Sequence, residues 1–429
     1  MAFLARGVCR GPFILGSVMG RVSQLIRPTL TGFGVAVLLT AAGCERPAPN
    51  DASNQRFLES HWSYPLPAQG APPTTYSALE ASLGPTACGT CHRDQLQAWR
   101  GSLHSRAMGP GISWQLQLMD QAQGNRCLRC HAPLAEQKAL VALERNWPAA
   151  PAIPPPAYVP PTLAQQGVVC AACHVRGHKR YGPPKQGSAP SSGQLPHGGF
   201  VATKAFEDSR FCAACHQFPE NGPRVAGKLQ EDTYNQWAKW PGAAERTCQS
   251  CHMPDRRHLF RGIHDQVMTR SAIEASINVK SIGKGMAAVR VALRNTGAGH
   301  HFPTYMVPKV YTQLDLITGD GRHRVLVQDV VGWQVDLTLS GETFDTRIPA
   351  GGVRFMDASF ALPEADSARL ELVIRVAPAE HYERAFRHSL AASKRLPAMT
   401  KALLQQALAE AVATRYELLR QSVALTIAN

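Results

Sequence analysis

The sequence predicts an α+β protein of several domains, in which a mainly helical or irregular cysteine-rich region is followed by a β-sandwich and then by C-terminal helices. Three observations support this fold class. One cysteine–histidine pattern recurs about every 40 residues between residues 76 and 266, with Gly- and Pro-rich sequence between its copies. From about residue 273, apolar and polar residues alternate with a period of two. After residue 378, apolar residues recur at helical spacing.

The chain begins with a segment typical of export signals. Residues 1–43 hold four arginines and no acidic residue, and an apolar run from Gly32 to Leu39 precedes small residues. Because this run is too short to span a bilayer well, residues 1–43 are predicted to be a secretory signal peptide. The dipeptide Gly43-Cys44 resembles a lipoprotein cleavage site, which predicts lipidation of Cys44. Cleavage by an ordinary signal peptidase is the alternative.

Residues 44–75 are polar and rich in proline. We predict that they form a tether between a membrane and the body of the protein. Together with the lipid anchor on Cys44, this predicts an exported protein, either periplasmic or attached to the outer membrane, with the cell surface as a variant.

The recurring pattern is Cys-x-x-Cys-His, the attachment signature of c-type haem: the two thiols form thioethers with the porphyrin, and the histidine ligates the iron. A single Cys-x-x-Cys also fits a zinc half-site, a redox pair or a disulfide. Here every copy is followed by histidine, and five copies do not form the pairs that zinc ribbons need. The sequence therefore predicts five covalently attached haem c groups in a domain spanning residues 76–266. The predicted haem-binding cysteines are Cys88, Cys91, Cys127, Cys130, Cys170, Cys173, Cys212, Cys215, Cys248 and Cys251, and the predicted proximal ligands are His92, His131, His174, His216 and His252.

Eleven further histidines are available as second axial ligands. Their number favours bis-histidine iron, which has lower reduction potentials than His/Met iron, although Met108 and Met268 are alternatives. His178 and His197 flank a Gly/Pro/Ser-rich loop, and the sequence favours His178 only slightly. At least one of the two histidines after the last motif is expected to be a ligand. The predicted second ligands are His104, His178, His258, His264 and His300, each with a surface or backbone-bonded histidine as the alternative.

The formal net charge of +14 would favour a nucleic acid or an anionic membrane as partner. Four of the basic residues fall in the predicted signal peptide, and the propionates of five haems offset much of the remainder. The sequence contains no nucleic-acid-binding motif, so we expect no nucleic-acid partner.

Residues 270–378 are predicted to form a β-sandwich of about seven short strands, immunoglobulin-like in type. Alternating segments such as Val289–Leu293 and Val310–Leu316 are separated by Gly and Asp-Gly turns. The loop at residues 299–304 resembles a Gly-His-x-Phe-Pro-Thr signature of multihaem cytochromes with an appended β domain. This likeness implies that His300, ahead of His301, ligates a haem.

Residues 379–423 are predicted to form C-terminal helices, at 379–392 and 398–423, each preceded by proline. An apolar stripe in the second helix favours packing against the body over a partner site. The stripe consists of Leu404, Leu408, Ala411, Leu419 and Val423.

Several of these segments together resemble the cytochrome c554 group of multihaem cytochromes, over most of residues 80–310. They are the first motif followed by Trp99, Ser102 and His104; GVVCAACH; FCAACHQF followed by Thr233, Tyr234 and Trp237; and CQSCHMP. The resemblance implies closely packed, mostly bis-histidine haems that relay electrons. This chain has five motifs where the type member has four, so haem order and axial pairing do not transfer.

The leading functional hypothesis is electron transfer between other redox proteins or a quinol-linked donor. An alternative is an oxidoreductase acting on a small nitrogen or sulfur oxide at one open haem. In that case His178, His197, Arg176, Lys179 and Tyr181 are candidates to line the pocket. A third hypothesis is that the β domain docks a partner complex.

Overall fold

A computed structural model of the chain describes residues 49–184, 195–363, 368–392 and 395–425, which belong to one compact unit. The predicted signal peptide and the predicted lipidation site Cys44 lie outside the described residues. Among the described helices, none combines the length and apolar character needed to cross a bilayer.

The region before residue 273 is built from short helices joined by turns and long irregular segments. Its core contains apolar residues such as Leu83, Leu128, Leu134 and Leu163, all with no exposed surface. The helices are α1 (Pro49–His61), α2 (Ala78–Ala81), α3 (Pro85–Gly89), α4 (Arg93–Arg100), α5 (Pro110–Leu116), α6 (Gln121–His131), α7 (Ala135–Arg145), α8 (Cys170–His174), α9 (Arg210–His216), α10 (Thr233–Ala238), α11 (Cys248–His252) and α12 (Gln266–Ala272).

Helix α1 corrects part of the predicted tether, because residues 49–61 are helical and packed. Leu58 and His61 are buried, and the ring of Phe57 stacks on that of His61 at 4.8 Å between centroids. At the other end of α1, Asp51 forms an ion pair with Arg210. Proline at the start of a helix is compatible with helical geometry, so a proline-rich composition did not exclude this helix.

Five short strands lie among these helices and hold the loops between the motifs. Strands β1 and β2 form an antiparallel hairpin directly after α8, and β3 pairs parallel to β2. A second hairpin, β4–β5, precedes α10. The strands are β1 (Val175–Arg176), β2 (Lys179–Gly182), β3 (Val201–Ala202), β4 (Arg224–Val225) and β5 (Lys228–Leu229).

The remaining strands form two antiparallel sheets. One has the order β10-β9-β8-β12-β13 and the other β11-β7-β6. Residues from both sheets share one hydrophobic core, so the sheets form the predicted β-sandwich. The strands are β6 (Ile273–Gly283), β7 (Met286–Asn295), β8 (Lys309–Thr318), β9 (His323–Val335), β10 (Glu342–Asp345), β11 (Val353–Ala361), β12 (Ala368–Ala377) and β13 (Tyr416–Leu425).

The predicted C-terminal helices are correct only up to residue 413. Helices α13 (Glu380–Ala392) and α14 (Ala398–Ala413) are present, but residues 416–425 form strand β13, which pairs with β12. The residues of the predicted apolar stripe therefore lie on two different elements. Leu404 and Ala411 are buried on α14, whereas Leu419 and Val423 belong to β13. Pairing with the open edge of β12 satisfies the backbone groups of this segment and overrides its helical spacing.

Candidate haem-binding sites

Each Cys-x-x-Cys-His motif lies on or beside a single turn of helix. Motifs 3 and 5 are α8 and α11 themselves, motifs 2 and 4 end α6 and α9, and motif 1 joins α3 to α4. Residues three and four positions apart share one face of a helix, so one turn presents both thiols and the imidazole to a single ring system. Local capping fixes some of these turns: Thr247 accepts a hydrogen bond from the Ser250 backbone at the start of motif 5.

Several cysteines of different motifs are neighbours. Cys88 influences the pKa of Cys170, Cys130 that of Cys215, and Cys212 that of Cys248. Cys173 also acts electrostatically on Cys212 and Cys215. Motif 4 is therefore next to motifs 2, 3 and 5, and motif 1 is next to motif 3.

Three motif histidines face a second imidazole at the spacing that an iron between them requires. Two metal–imidazole bonds of about 2 Å place the ring centroids of an axial pair roughly 6 Å apart. His104 and His216 are 6.2 Å apart between centroids, His174 and His258 are 5.9 Å apart, and His252 and His300 are 6.4 Å apart. The sequence predicted His104, His258 and His300 as second ligands, and the structure brings each opposite a different motif.

Hydrogen bonds orient several of these imidazoles through Nδ1 and leave Nε2 available. Nδ1 of His174 lies 2.8 Å from the Tyr181 carbonyl, and Nδ1 of His300 lies 2.8 Å from the His301 carbonyl. Metal-ligating histidines commonly donate their second N–H to a backbone carbonyl, which fixes the tautomer and the ring plane. Similar contacts join His252 to the Arg261 carbonyl, His258 to the Arg256 carbonyl and His131 to the Ala107 carbonyl.

Burial favours the neutral, metal-binding form of His104, His258 and His300. Burial, reinforced by the neighbouring His216, lowers the pKa of His104 to about 4. Burial likewise lowers the pKa of His258 and of His300 to about 4. The nitrogen donors, their spacing and their protonation therefore fit an iron porphyrin between each pair.

Motif 1 lies beside charged side chains of α2 and β2. The guanidinium of Arg180 acts on the Cys88 thiol and also donates to the Glu80 carbonyl. Glu80 in turn accepts a 2.7 Å hydrogen bond from the backbone of His197. His197 is thus part of the cluster beside motif 1.

His178 and His264 have different surroundings from the paired histidines. His178 exposes 1% of its surface, and its Nε2 lies 3.0 Å from the Gly70 carbonyl. Its Nδ1 is buried without a partner, so neither ring nitrogen faces open space. His264 lines a cavity of about 740 Å³ together with Ser102, Leu103 and Arg106, and burial lowers its pKa to about 4.

Among the residues proposed from sequence to line an open haem, Arg176 holds neighbouring backbone and Tyr181 holds the motif-3 histidine. The Arg176 side chain donates to the carbonyls of His61 and Val175, and the Tyr181 carbonyl holds His174. The β1–β2 hairpin therefore positions the proximal ligand of motif 3. Met108, an alternative ligand, is buried in the core.

The sequence analysis did not single out His61, which the structure places in contact with motif 3. Its Nε2 lies 2.8 Å from the Cys173 carbonyl, and its ring lies among Phe57, Trp62 and Phe211. The available signal was a histidine among aromatic residues in a segment otherwise interpreted as a tether.

Comparisons with known proteins agree with this arrangement. The family model described as cytochrome c554 and c-prime matches residues 87–152. A penta-heme cytochrome c552 from Thermochromatium tepidum shares the fold, with a TM-score of 0.52 and 17% identity over 81% of this chain and 100% of that chain. A structural-genomics target, SoR45, aligns with a TM-score of 0.16, 9% identity and 25% of this chain against 74% of that one, too little to support an argument. No curated protein matches the chain.

The predicted fold class is confirmed: a mainly helical region with short hairpins is followed by a β-rich region that also carries α13 and α14, and the arrangement follows that of a multihaem cytochrome. The five motifs, the facing imidazoles and the family match all indicate covalently bound haem and haem-based electron transfer. The chain therefore resembles the cytochrome c554 family over residues 87–152 and shares its fold with a penta-heme cytochrome.

Proposed function

We propose that the chain carries five haem c groups, one at each motif, and relays electrons between redox partners through them. The observation that carries this proposal is the set of three facing imidazole pairs at 5.9 to 6.4 Å. Iron ligated on both faces has no position for a substrate, so these haems accept and pass on electrons. Bound haem supplies the redox chemistry, and the chain's residues hold, orient and bury it.

The axial assignments follow from the geometry. His104, His258 and His300 ligate the irons of motifs 4, 3 and 5, opposite His216, His174 and His252. For motif 1 we favour His197 over His178, because His197 is half-buried beside Arg180 and Glu80 while His178 is enclosed by protein. His264 is left without an iron in this scheme.

The contacts between thiols support an order for the relay. Motif 1 neighbours motif 3, motif 3 neighbours motif 4, and motif 4 neighbours both motif 2 and motif 5. The series therefore has a centre at motif 4 and ends at motifs 1, 2 and 5. Motif 1 is one end of this series, and we favour it as the contact point for a redox protein or a quinol-linked donor.

An extracytoplasmic location is part of this proposal. Haem is attached to c-type cytochromes outside the cytoplasm, which requires the export predicted for residues 1–43. Lipidation at Cys44 would place the protein in the periplasm or on the outer membrane, attached through an N-terminal lipid.

The number of haems is tested by the intact mass of the exported protein. We expect the mass of the mature polypeptide plus five haems, with haem-bearing peptides covering all five motifs. A smaller increment, or an unmodified motif peptide, would contradict the count.

The axial pairs are tested by replacing a second ligand. In His300→Met, we expect one haem to gain His/Met ligation and its reduction potential to rise by roughly 0.1 V, within the about 0.8 V that axial ligands span. His323→Gln, at an exposed position on β9, is the matched control and should leave all potentials unchanged. A His300→Met protein with wild-type potentials in a spectroelectrochemical titration would reject the pairing.

A further inference from the structure

The ring of Phe260 contacts the second ligands assigned to two different motifs. Its centroid is 4.3 Å from that of the His104 ring and 5.8 Å from that of the His258 ring. His104 faces the motif-4 imidazole of His216, and His258 faces the motif-3 imidazole of His174. One aromatic side chain that is not itself a ligand therefore adjoins both axial pairs.

His104 differs from the other two second ligands in how its ring is oriented. The rings of His258 and His300 are each fixed by a contact between Nδ1 and a backbone carbonyl, at 3.1 and 2.8 Å. Among the described residues, the His104 ring forms no hydrogen bond, and its aromatic neighbours are His216 and Phe260. Packing therefore sets the plane of this imidazole, and Phe260 supplies the closer of the two rings.

The main chain at His104 is fixed separately, by contacts with the segment before motif 3. The Val168 N–H donates a hydrogen bond to the His104 carbonyl at 2.8 Å. Gly167 has a φ of +66°, and a Cβ at this position would lie 2.3 Å from the same carbonyl oxygen. Because the backbone of His104 is held in place, what remains to be fixed is the rotation of its side chain.

The backbone at Phe260 adopts a conformation that costs energy. Its φ is +46°, in the left-handed region that bulky residues rarely adopt. Asp255 and Arg256, shortly before His258, also have positive φ values, of 54° and 58°. Strained residues persist only where the surrounding structure fixes them, and they cluster at functional sites. Here the bent segment brings His258 to motif 3 and the Phe260 ring to His104.

Phe260 also forms part of the wall of a cavity. Together with Leu103, Arg106 and His264 it lines the space of about 740 Å³, and it packs against the core of the helical region. Truncating its side chain would enlarge this space beside the His104 ring and leave the imidazole free to rotate. The aromatic ring therefore keeps that imidazole at its angle of 41° to the ring of the motif-4 histidine.

We propose that Phe260 is a positioning residue shared by the haems of motifs 3 and 4. Its ring holds the plane of the His104 imidazole and packs edge-on against His258, so one side chain fixes the second ligands of two neighbouring irons. This inference rests on the axial pairs of the proposed function. Groups that orient a metal ligand tune the metal it binds, so Phe260 influences the reduction potential at the centre of the relay.

The test is the EPR spectrum of the oxidised holoprotein, because the largest g value of a low-spin haem depends on the angle between its two imidazole planes. We expect Phe260→Ala to shift or broaden the motif-4 signal and to move the reduction potential of that haem, with a smaller change at motif 3. The His252 and His300 rings are 11° from parallel and do not contact Phe260. Their signal, identified by its loss in His300→Met, should stay unchanged and serves as an internal reference.

Three further variants separate the ring from the backbone. Phe260→Tyr keeps the ring and should keep the wild-type spectrum. Asparagine tolerates a left-handed backbone but has no ring, so Phe260→Asn should behave like Phe260→Ala. Phe355→Ala, at an exposed position on β11, is the matched control and should leave every signal and potential unchanged.

Two outcomes would overturn the inference. Wild-type g values and potentials in Phe260→Ala would show that the ring does not orient the ligands, and a wild-type spectrum in Phe260→Asn alone would assign the effect to backbone strain. Should the alanine variant lose haem, Phe260→Leu, which fills the space without a flat ring, replaces it in the same comparison. A His300→Met protein that retains every wild-type signal would instead reject the axial pairs and the proposed function on which the inference rests.

Discussion

The two halves of this molecule obtain their interiors in different ways. In the β-sandwich, residues such as Val310, Leu314, Leu370 and Ile374 have no exposed surface and fill the space between the sheets. In the helical region, by contrast, the apolar residues between 205 and 266 form only a small cluster with α1, which contains Leu58, Ala205 and Phe211. One half is packed as a single interior by its own side chains, whereas the part of the other half that carries motifs 4 and 5 has little apolar packing of its own.

This difference predicts which half depends on haem. Interiors are close-packed, so unfilled space between helices costs stability. We therefore expect the helical region to require the porphyrins for folding, as small metal-dependent domains require their metal. The sandwich should need no cofactor.

The largest predicted effect is the loss of haem from the centre of the series. Cys212→Ala with Cys215→Ala removes attachment at motif 4, which neighbours motifs 2, 3 and 5. We expect a loss comparable with the whole stability of a domain, about 5–15 kcal/mol. Limited proteolysis should then digest residues 49–272 and spare the β-sandwich.

The matched control for this change is the peripheral motif. Cys88→Ala with Cys91→Ala removes one haem at the end of the series, where Cys91 is exposed, and should leave most of the helical region resistant to protease. Equal digestion of the two double variants would contradict the prediction that the helical region depends more on motif 4 than on motif 1. Digestion of the sandwich along with the helical region would contradict the prediction that the sandwich needs no cofactor.

A smaller effect on stability is expected at α1, where an aromatic cluster around His61 packs against motif 3. Burial, then the nearby charge of Arg176, lowers the pKa of His61 from 6.5 to about 3. The unfolded chain binds this proton near pH 6.5 and the folded chain only near pH 3, so the stabilisation is complete above pH 6.5 and is lost as the pH falls toward 3. The shift corresponds to roughly 5 kcal/mol.

This dependence can be measured by urea unfolding between pH 7 and pH 4. His61→Gln should flatten the acid loss of stability, because glutamine does not titrate. His388→Gln, at an exposed position on α13, should retain it. Parallel pH profiles for His61→Gln and the wild type would show that another group carries the acid sensitivity.

The sequence predicted the local features of the haem sites but not how distant segments pack together. The motifs predicted the haem-binding cysteines and the proximal histidines, because haem attachment is encoded in five adjacent residues. His104, His258 and His300 were predicted from their position near motifs or in a family-like loop, and the structure places each opposite an imidazole. Pairing itself could not be predicted, since it depends on how distant segments pack.

The errors have physical causes. A proline-rich composition suggested a tether, but contacts with Phe206 and Phe211 stabilise α1. Helical spacing extended α14 too far, because the open edge of β12 gave residues 416–425 backbone partners that local sequence does not reveal.

The smallest predicted effect is the loss of stability caused by a substitution in the core of the sandwich. Leu370 on β12 has no exposed surface, so Leu370→Ala should lower the free energy of unfolding of the sandwich by about 3 kcal/mol through lost burial and the cavity it leaves. Val325→Ala, half exposed on β9, should cost less than about 0.5 kcal/mol. Denaturant unfolding followed by circular dichroism gives both values, and the visible haem spectrum before the transition should be identical in the two variants. A haem spectrum altered by Leu370→Ala alone would mean that the sandwich core shapes the haem environment, and that the two interiors are coupled.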